Sequence, residues 1–151
     1  MPTIEPLKMD SQDAYKQRIV TIPYNRQPRW GRMNVAEMFH HNTRYMEIPL
    51  ETRTVKDRSN WLFRLIVKPL ILSRMTFPKN VATIPELRVA DLREVEEERK
   101  QLLIRVEEFT ERVNTDPGKE VPNPLLGPLT LEQWSILAGK HLNHHLRQFG
   151  A

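Results

Sequence analysis

Proline placement is the feature that most limits how this chain can fold. The 151 residues include twelve prolines and only five glycines, and the prolines cluster between segments with helical periodicity. Proline lacks the amide hydrogen that a helix interior or a central strand needs, so such clusters mark connections. The β-branched alternation that is typical of strands is nearly absent. The pattern therefore predicts an all-α fold, with four or five helices and long connecting loops that fit a helical bundle.

Capping signals and apolar periodicity place the helices. Asn34 with Glu37, and Thr130 with Gln133, match the capping-box pattern at the starts of the second and last helices. The fourth helix begins at a predicted cap, Asp91. The helices are predicted to cover about residues 10–20, 34–48, 59–74, 91–113 and 130–149.

The segments between and within these helices carry further predictions. Residues 77–87 and 114–128 are expected to be long irregular loops, which could wall a pocket at one end of the bundle. The most apolar run, 61–73, is too short for a membrane span and is expected to be a buried helix. The charge run 93–100 is expected to be a solvated helix face.

Composition narrows the class of protein. The length suits one domain, residues 1–151, with its own core. The net charge of +4 comes from 23 basic and 19 acidic residues spread along the chain, without a basic block with interleaved aromatics, so no nucleic-acid partner is expected. The chain has no cysteine, which excludes disulfides, thiolate metal sites and a protein-borne thiol nucleophile. Its first ten residues lack an apolar stretch, so no signal peptide is expected, and its most apolar run is too short for a span, so no membrane partner is expected. A cytoplasmic location is the default.

All five histidines fall in two clusters about a hundred residues apart. His40 and His41 form the first, and His141, His144 and His145 form the second. Imidazole is the commonest metal ligand. Two histidines four residues apart present their rings on one face of a helix, and a third from another helix completes a set of three nitrogens. The clusters therefore indicate a metal site.

Helical phase indicates which rings face the core. At about 100° per residue, His141 and His145 fall in the middle of the apolar arc of the last helix, and His144 falls at its edge. Lys140 falls on the other, polar side of this helix. On the second helix, His41 shares the apolar face and His40 points the other way. Phase alone selects His41, His141 and His145 as metal ligands. The alternative is that inward histidines are merely hydrogen-bonded core residues.

Three stretches of the chain carry distinctive motifs: Pro28–Asn34, followed by Met38 and His41; Asn123–Trp134; and Lys140–Gly150. In this order they resemble the signature near the first ligand helix, the loop and helix start, and the closing motif of one branch of the DinB/YfiT-like superfamily. That branch is catalogued as a domain of unknown function. The order and separation of these stretches match the whole domain.

The resemblance implies a four-helix bundle of up-down-down-up order with a short extra helix, often a homodimer. It also implies a divalent metal ion, zinc, nickel or iron, held by His41, His141 and His145. Two positions depart from the pattern of the branch. Asn123 stands where a histidine is usual, and Leu126 stands where an aromatic residue is common.

A metal-dependent transferase or hydrolase that acts on a small molecule is the function that these features favour. Relatives in the superfamily make thiol-dependent S-transfer one form of it. A zinc peptidase of the thermolysin type is not expected, because the segment 141–145 has no carboxylate base. The alternatives are a metal-binding or sensor protein without turnover, and a purely structural helical domain.

Supporting roles at the site have competing interpretations. His144 could shuttle protons or contact substrate, or it could be a rim histidine near a helix C-terminus. Tyr45 could donate to an oxyanion, although a buried tyrosine bonded to backbone is more frequent. Glu37 could orient His41, but its capping role is the more direct explanation. Trp30 and Trp134 are expected to be core or loop anchors.

Overall fold

Helices make up most of the protein, as predicted. The structure, a computed structural model, describes residues 4–73, 76–77, 79 and 94–151. Across these residues it has five α-helices and one small sheet. In chain order the elements are α1 (Gln12–Thr21), α2 (Val35–Glu47), α3 (Trp61–Leu72), α4 (Val95–Thr115), β1 (Glu120–Asn123), β2 (Gly127–Thr130) and α5 (Leu131–Gln148).

The two strands correct the prediction of an irregular loop over 114–128. β1 pairs with β2 in antiparallel register, with Pro122 opposite Pro128. Two prolines can face each other only at a pair of positions that exchange no hydrogen bonds. A hydrogen-bonded pair would need an amide hydrogen from each residue, and proline has none. The turn is closed by Asn123, whose side-chain oxygen accepts from the backbone N–H groups of Leu125 and Leu126. The prolines of this segment led to the prediction of a loop, so the hairpin was not predicted.

The starts of α2 and α5 follow local rules that the sequence shows. Both predicted capping boxes are present: Asn34 and Glu37 exchange hydrogen bonds at the start of α2, and Thr130 and Gln133 do so at the start of α5. The fourth helix begins at Val95 in the structure, while its predicted cap, residue 91, lies outside the described residues. Caps identify helix starts because they depend on neighbours three residues away.

The core lies where α1, α2, α4 and α5 pack together. α2 packs most extensively on α4, and α5 contacts each of the other four helices. The core contains large, fully buried side chains from several elements, among them Ile19, Phe39, Leu102, Phe109 and Trp134. This packing brings α2 and α5 into contact, so the two histidine clusters lie in neighbouring helices.

The prediction that the charge run 93–100 is a solvated helix face is wrong for part of its described residues, 94–100. Glu98 and Arg99 are buried on α4. Arg99 donates to the carbonyl oxygens of Val20 and Ile22, where it satisfies backbone acceptors at the end of α1. A buried charge with such partners costs far less than an isolated one. The prediction failed because helix α1 and helix α2 cover this part of α4.

The prediction of a buried third helix is wrong. No residue of α3 is buried. One side of the helix packs against the core through partly buried residues, including Phe63, Val67 and Ile71. The other side exposes five large apolar side chains, between 49% and 74%: Trp61, Leu62, Leu65, Ile66 and Leu70. In the described part of the chain no helix has the length and apolar character to cross a membrane.

The exposure of α3 has a measurable consequence for stability. Replacement of Leu65, which is 66% exposed, by alanine is expected to change the free energy of unfolding by less than about 0.5 kcal/mol. Val106→Ala on α4 removes two methyl groups from a fully buried side chain and is expected to cost roughly 1–3 kcal/mol. Chemical denaturation of both variants tests this contrast. Equal decreases in the free energy of unfolding for the two variants would mean that the exposed side of α3 is covered.

Candidate metal centre

Three histidine rings converge between α2 and α5. His41 comes from α2, and His141 and His145 come from successive turns of α5. Each ring offers one nitrogen, and the three nitrogens lie within 4.8 Å of one another. The Nε2 atoms of His41 and His141 are 3.0 Å apart. The structure therefore brings together the three residues that helical phase selected, and this group could hold a metal ion.

The distances suit an ion of the size that imidazole binds. Metal–nitrogen bonds of about 2.0–2.1 Å place the nitrogens of a tetrahedral set about 3.3 Å apart. The Nε2 atoms of His41 and His141 are 3.0 Å apart, close to that value, and all three nitrogens lie within 4.8 Å of one another. The donors are all of one chemical type, since no carboxylate belongs to this group among the described residues. The residues present therefore fit a metal centre built on imidazole.

The environment keeps the rings of His141 and His145 neutral, which is the form that binds metal. Burial lowers the pKa of His141 well below its ordinary value, and the charges of His145 and His41 lower it further. Burial, followed by the charge of His41, lowers the pKa of His145 to about 3. A neutral imidazole keeps a lone pair free for a cation. At neutral pH, therefore, protons do not compete with a metal ion for these nitrogens.

Gln148 orients one of the candidate ligands, and sequence reasoning missed it. The Nδ1 atom of His145 lies 2.9 Å from the side-chain oxygen of Gln148, an acceptor, so this nitrogen carries the proton. The Nε2 atom is then left with its lone pair directed at the group. Gln148 in turn donates to the carbonyl oxygen of Trp30 at 2.8 Å. The i, i+3 spacing of His145 and Gln148 on one helix was the available signal.

Tyr45 stacks on a second candidate ligand. Its ring is nearly parallel to that of His141, with centroids 3.9 Å apart and an interplanar angle of 12°. Burial raises the pKa of Tyr45, so its phenol stays protonated and can donate a hydrogen bond. Trp134 packs edge-on against Tyr45 and is fully buried, which confirms its predicted place in the core. The stack restricts rotation of the His141 ring.

The remaining histidines lie outside the group. His40 is buried beside α4, where its Nδ1 lies 3.0 Å from a carboxylate oxygen of Glu98 and its Nε2 accepts from Arg44. His144 is partly buried against the edge of the Trp30 ring, at a centroid distance of 5.6 Å. Burial lowers the pKa of His144, with smaller contributions from Arg147 and Lys79. Helical phase selects neither of these histidines as a ligand, in agreement with their positions.

Glu37 caps its helix and does not orient His41. Its carboxylate accepts from the backbone N–H of Asn34, which is the capping role. The Glu37 carboxylate therefore binds the backbone at the first turn of α2, one turn away from His41.

Comparisons with known proteins identify no family for this chain. The chain matches no protein-family model, no curated protein and no solved structure. The resemblance to the DinB/YfiT-like superfamily stays a prediction. The arrangement of the side chains around His41, His141 and His145 is therefore the main evidence about function.

Proposed function

We propose that this protein is a metal-dependent transferase or hydrolase that acts on a small molecule. The observation that carries the proposal is the convergence of three histidine nitrogens within 4.8 Å. Three protein ligands leave a coordination position open for water or substrate, which is the pattern of catalytic rather than structural metal sites. Thiol-dependent S-transfer is the form of this chemistry that the DinB/YfiT-like resemblance favours.

His41, His141 and His145 would hold the ion. Zinc, nickel and iron are the candidates, since imidazole suits all three. When bound, such an ion supplies a Lewis acid that polarises a carbonyl group and lowers the pKa of a coordinated water or thiol. The protein supplies the geometry, because Gln148 fixes the tautomer of His145 and Tyr45 holds the ring of His141.

Two side chains could serve the substrate. His144 lies beside the paired ligands, and its lowered pKa keeps it neutral at physiological pH, so it could accept a proton at the edge of the site. Tyr45 could donate from its protonated phenol to an oxygen that gains charge. The other parts of the proposal are the up-down-down-up order of the bundle, a homodimer and a cytoplasmic location.

Metal analysis of the freshly purified full chain tests the centre. We expect close to one Zn, Ni or Fe per chain, or a clear rise in melting temperature when Zn²⁺ or Ni²⁺ is added to chelator-treated protein. Metal content below about 0.1 per chain with no such rise would leave only a packed helical domain.

Turnover separates an enzyme from a metal-binding or sensor protein. The metal-loaded protein would be screened with electrophiles and several low-molecular-weight thiols, alongside the His141→Ala variant. Activity that is present in the wild type and lost in the variant supports catalysis at the metal. Activity that is unchanged in the variant, or absent from a fully loaded wild type, favours the alternatives.

The role assigned to Gln148 predicts its effect on metal affinity. Gln148→Leu removes the acceptor from the Nδ1–H of His145 and is expected to weaken Zn²⁺ binding about 10- to 100-fold. Gln148→Glu keeps an acceptor at the same place and is expected to bind Zn²⁺ better than the leucine variant does. Competition with a chromogenic chelator measures both affinities. Equal affinities in wild type and Gln148→Leu would show that the contact does not orient His145.

A further inference from the structure

The candidate metal centre is bordered by aromatic rings on one side. Among its three histidines, His141 alone is partly exposed, so the side of the centre nearest to solvent is the side of this residue. Phe77 lies edge-on to both His141 and His144, at a centroid distance of 6.4 Å from each. Trp30 lies edge-on to His144 at 5.6 Å. A ligand that reaches the centre past His141 therefore meets an apolar border formed by Phe77 and Trp30.

Positive charge lies on the same side. The Nζ atom of Lys79 is 4.5 Å from the centroid of the Trp30 ring, and Lys79 is exposed. The three-histidine group includes no carboxylate among the described residues. A divalent ion held by three neutral rings keeps both of its positive charges, because imidazole ligands neutralise none of them. The loaded centre and Lys79 would together favour a negatively charged ligand.

We propose that this side of the centre binds a small organic anion with an apolar body. Its anionic donor atom would take the open coordination position, and its apolar body would lie against Trp30 and Phe77. Lys79 would strengthen the binding through its charge. This inference rests on the proposed metal function and specifies the class of ligand that the site selects.

Three probes distinguish charge from shape. Benzoate carries an anionic donor on an aromatic body, benzamide has nearly the same shape without the charge, and acetate has the charge without the body. Each would be titrated into the Co²⁺-loaded full chain, with the visible absorption of Co²⁺ as the readout. We expect benzoate to bind at least about tenfold more tightly than benzamide, and more tightly than acetate.

Substitutions at Lys79 and Trp30 test which residues provide the charge contribution and the aromatic contribution to benzoate binding. Lys79→Gln is expected to weaken benzoate binding about three- to fivefold while the affinities for benzamide and Co²⁺ stay unchanged. Lys100→Gln is the matched control, since it removes the same charge from an exposed position on α4. Trp30→Leu is expected to weaken benzoate more than acetate, because only benzoate has a ring to place against Trp30.

The possible failures are distinct. If the protein takes up no Co²⁺, the proposed metal centre fails and this inference fails with it. If Co²⁺ binds but benzamide competes as well as benzoate, or Lys79→Gln behaves like Lys100→Gln, the inference alone is overturned.

Discussion

His145→Ala is expected to weaken Zn²⁺ binding at least about 100-fold. Removal of one of three protein ligands takes away a metal–nitrogen bond and leaves the ion with only two imidazole ligands. The same substitution removes the hydrogen bond between the Nδ1 atom of His145 and the side-chain oxygen of Gln148. Isothermal titration with Zn²⁺ measures the affinity, and the rise in melting temperature with Zn²⁺ should shrink in parallel.

His144→Ala is the matched control for this result. It is the adjacent residue on the same helix and undergoes the same chemical change, but it lies outside the three-histidine group. We expect its Zn²⁺ affinity to stay within about threefold of the wild type. Equal losses in the two variants would indicate a general disturbance of α5, and retention of Zn²⁺ by His145→Ala would remove this residue from the ligand set.

Acid is expected to destabilise the metal-free protein strongly. The pKa of His145 is about 3 in the folded protein, against an ordinary value of 6.5. Between these two values the unfolded chain holds a proton on His145 that the folded chain does not hold, so acidification favours unfolding. The slope is about 1.4 kcal/mol per pH unit for one such group. From pH 6.5 to pH 4.5, His145 alone should remove roughly 2–3 kcal/mol.

His145→Asn isolates this contribution. Asparagine does not titrate, so the variant should lose less stability than the wild type over the same pH interval, by about 2–3 kcal/mol. Urea denaturation in the presence of a chelator, at pH 6.5 and pH 4.5, gives both values. The lowered pKa of His141 acts in the same direction and remains in the variant. Parallel pH profiles for the two proteins would contradict the burial of a neutral His145.

Features that depend on near neighbours could be predicted from the sequence. The capping boxes at Asn34 and Thr130 are both present, since each is made by residues three positions apart. The choice of His41, His141 and His145 came from helical phase, which depends only on the 3.6-residue repeat and the positions of apolar residues. Each of these inferences remains valid because no distant part of the chain is needed to make it.

Errors arose where a distant segment covers or exposes a side chain. Helical phase puts Lys140 on the polar side of α5, yet it is buried and donates to the carbonyl oxygens of Ile71 and Ser73 at the end of α3. Glu98 and Arg99 are covered in the same way by other helices. Conversely, the most apolar run of the chain predicted a buried helix, but the helix that it forms, α3, packs against the core on one side only. Periodicity describes the faces of a helix and not what lies against them.

The sequence by itself determined that the chain is mainly helical, where two helices start and which three histidines the structure brings together. Capping hydrogen bonds and the helical repeat depend on residues that are close in the sequence. Only the tertiary structure decided that α2 and α5 touch, with the Nε2 atoms of His41 and His141 3.0 Å apart. It also decided that Gln148 joins His145 to Trp30. The His41–His141 and Gln148–Trp30 contacts join residues 100 and 118 positions apart. They form because burial of the shared core outweighs the entropy of closing so long a loop.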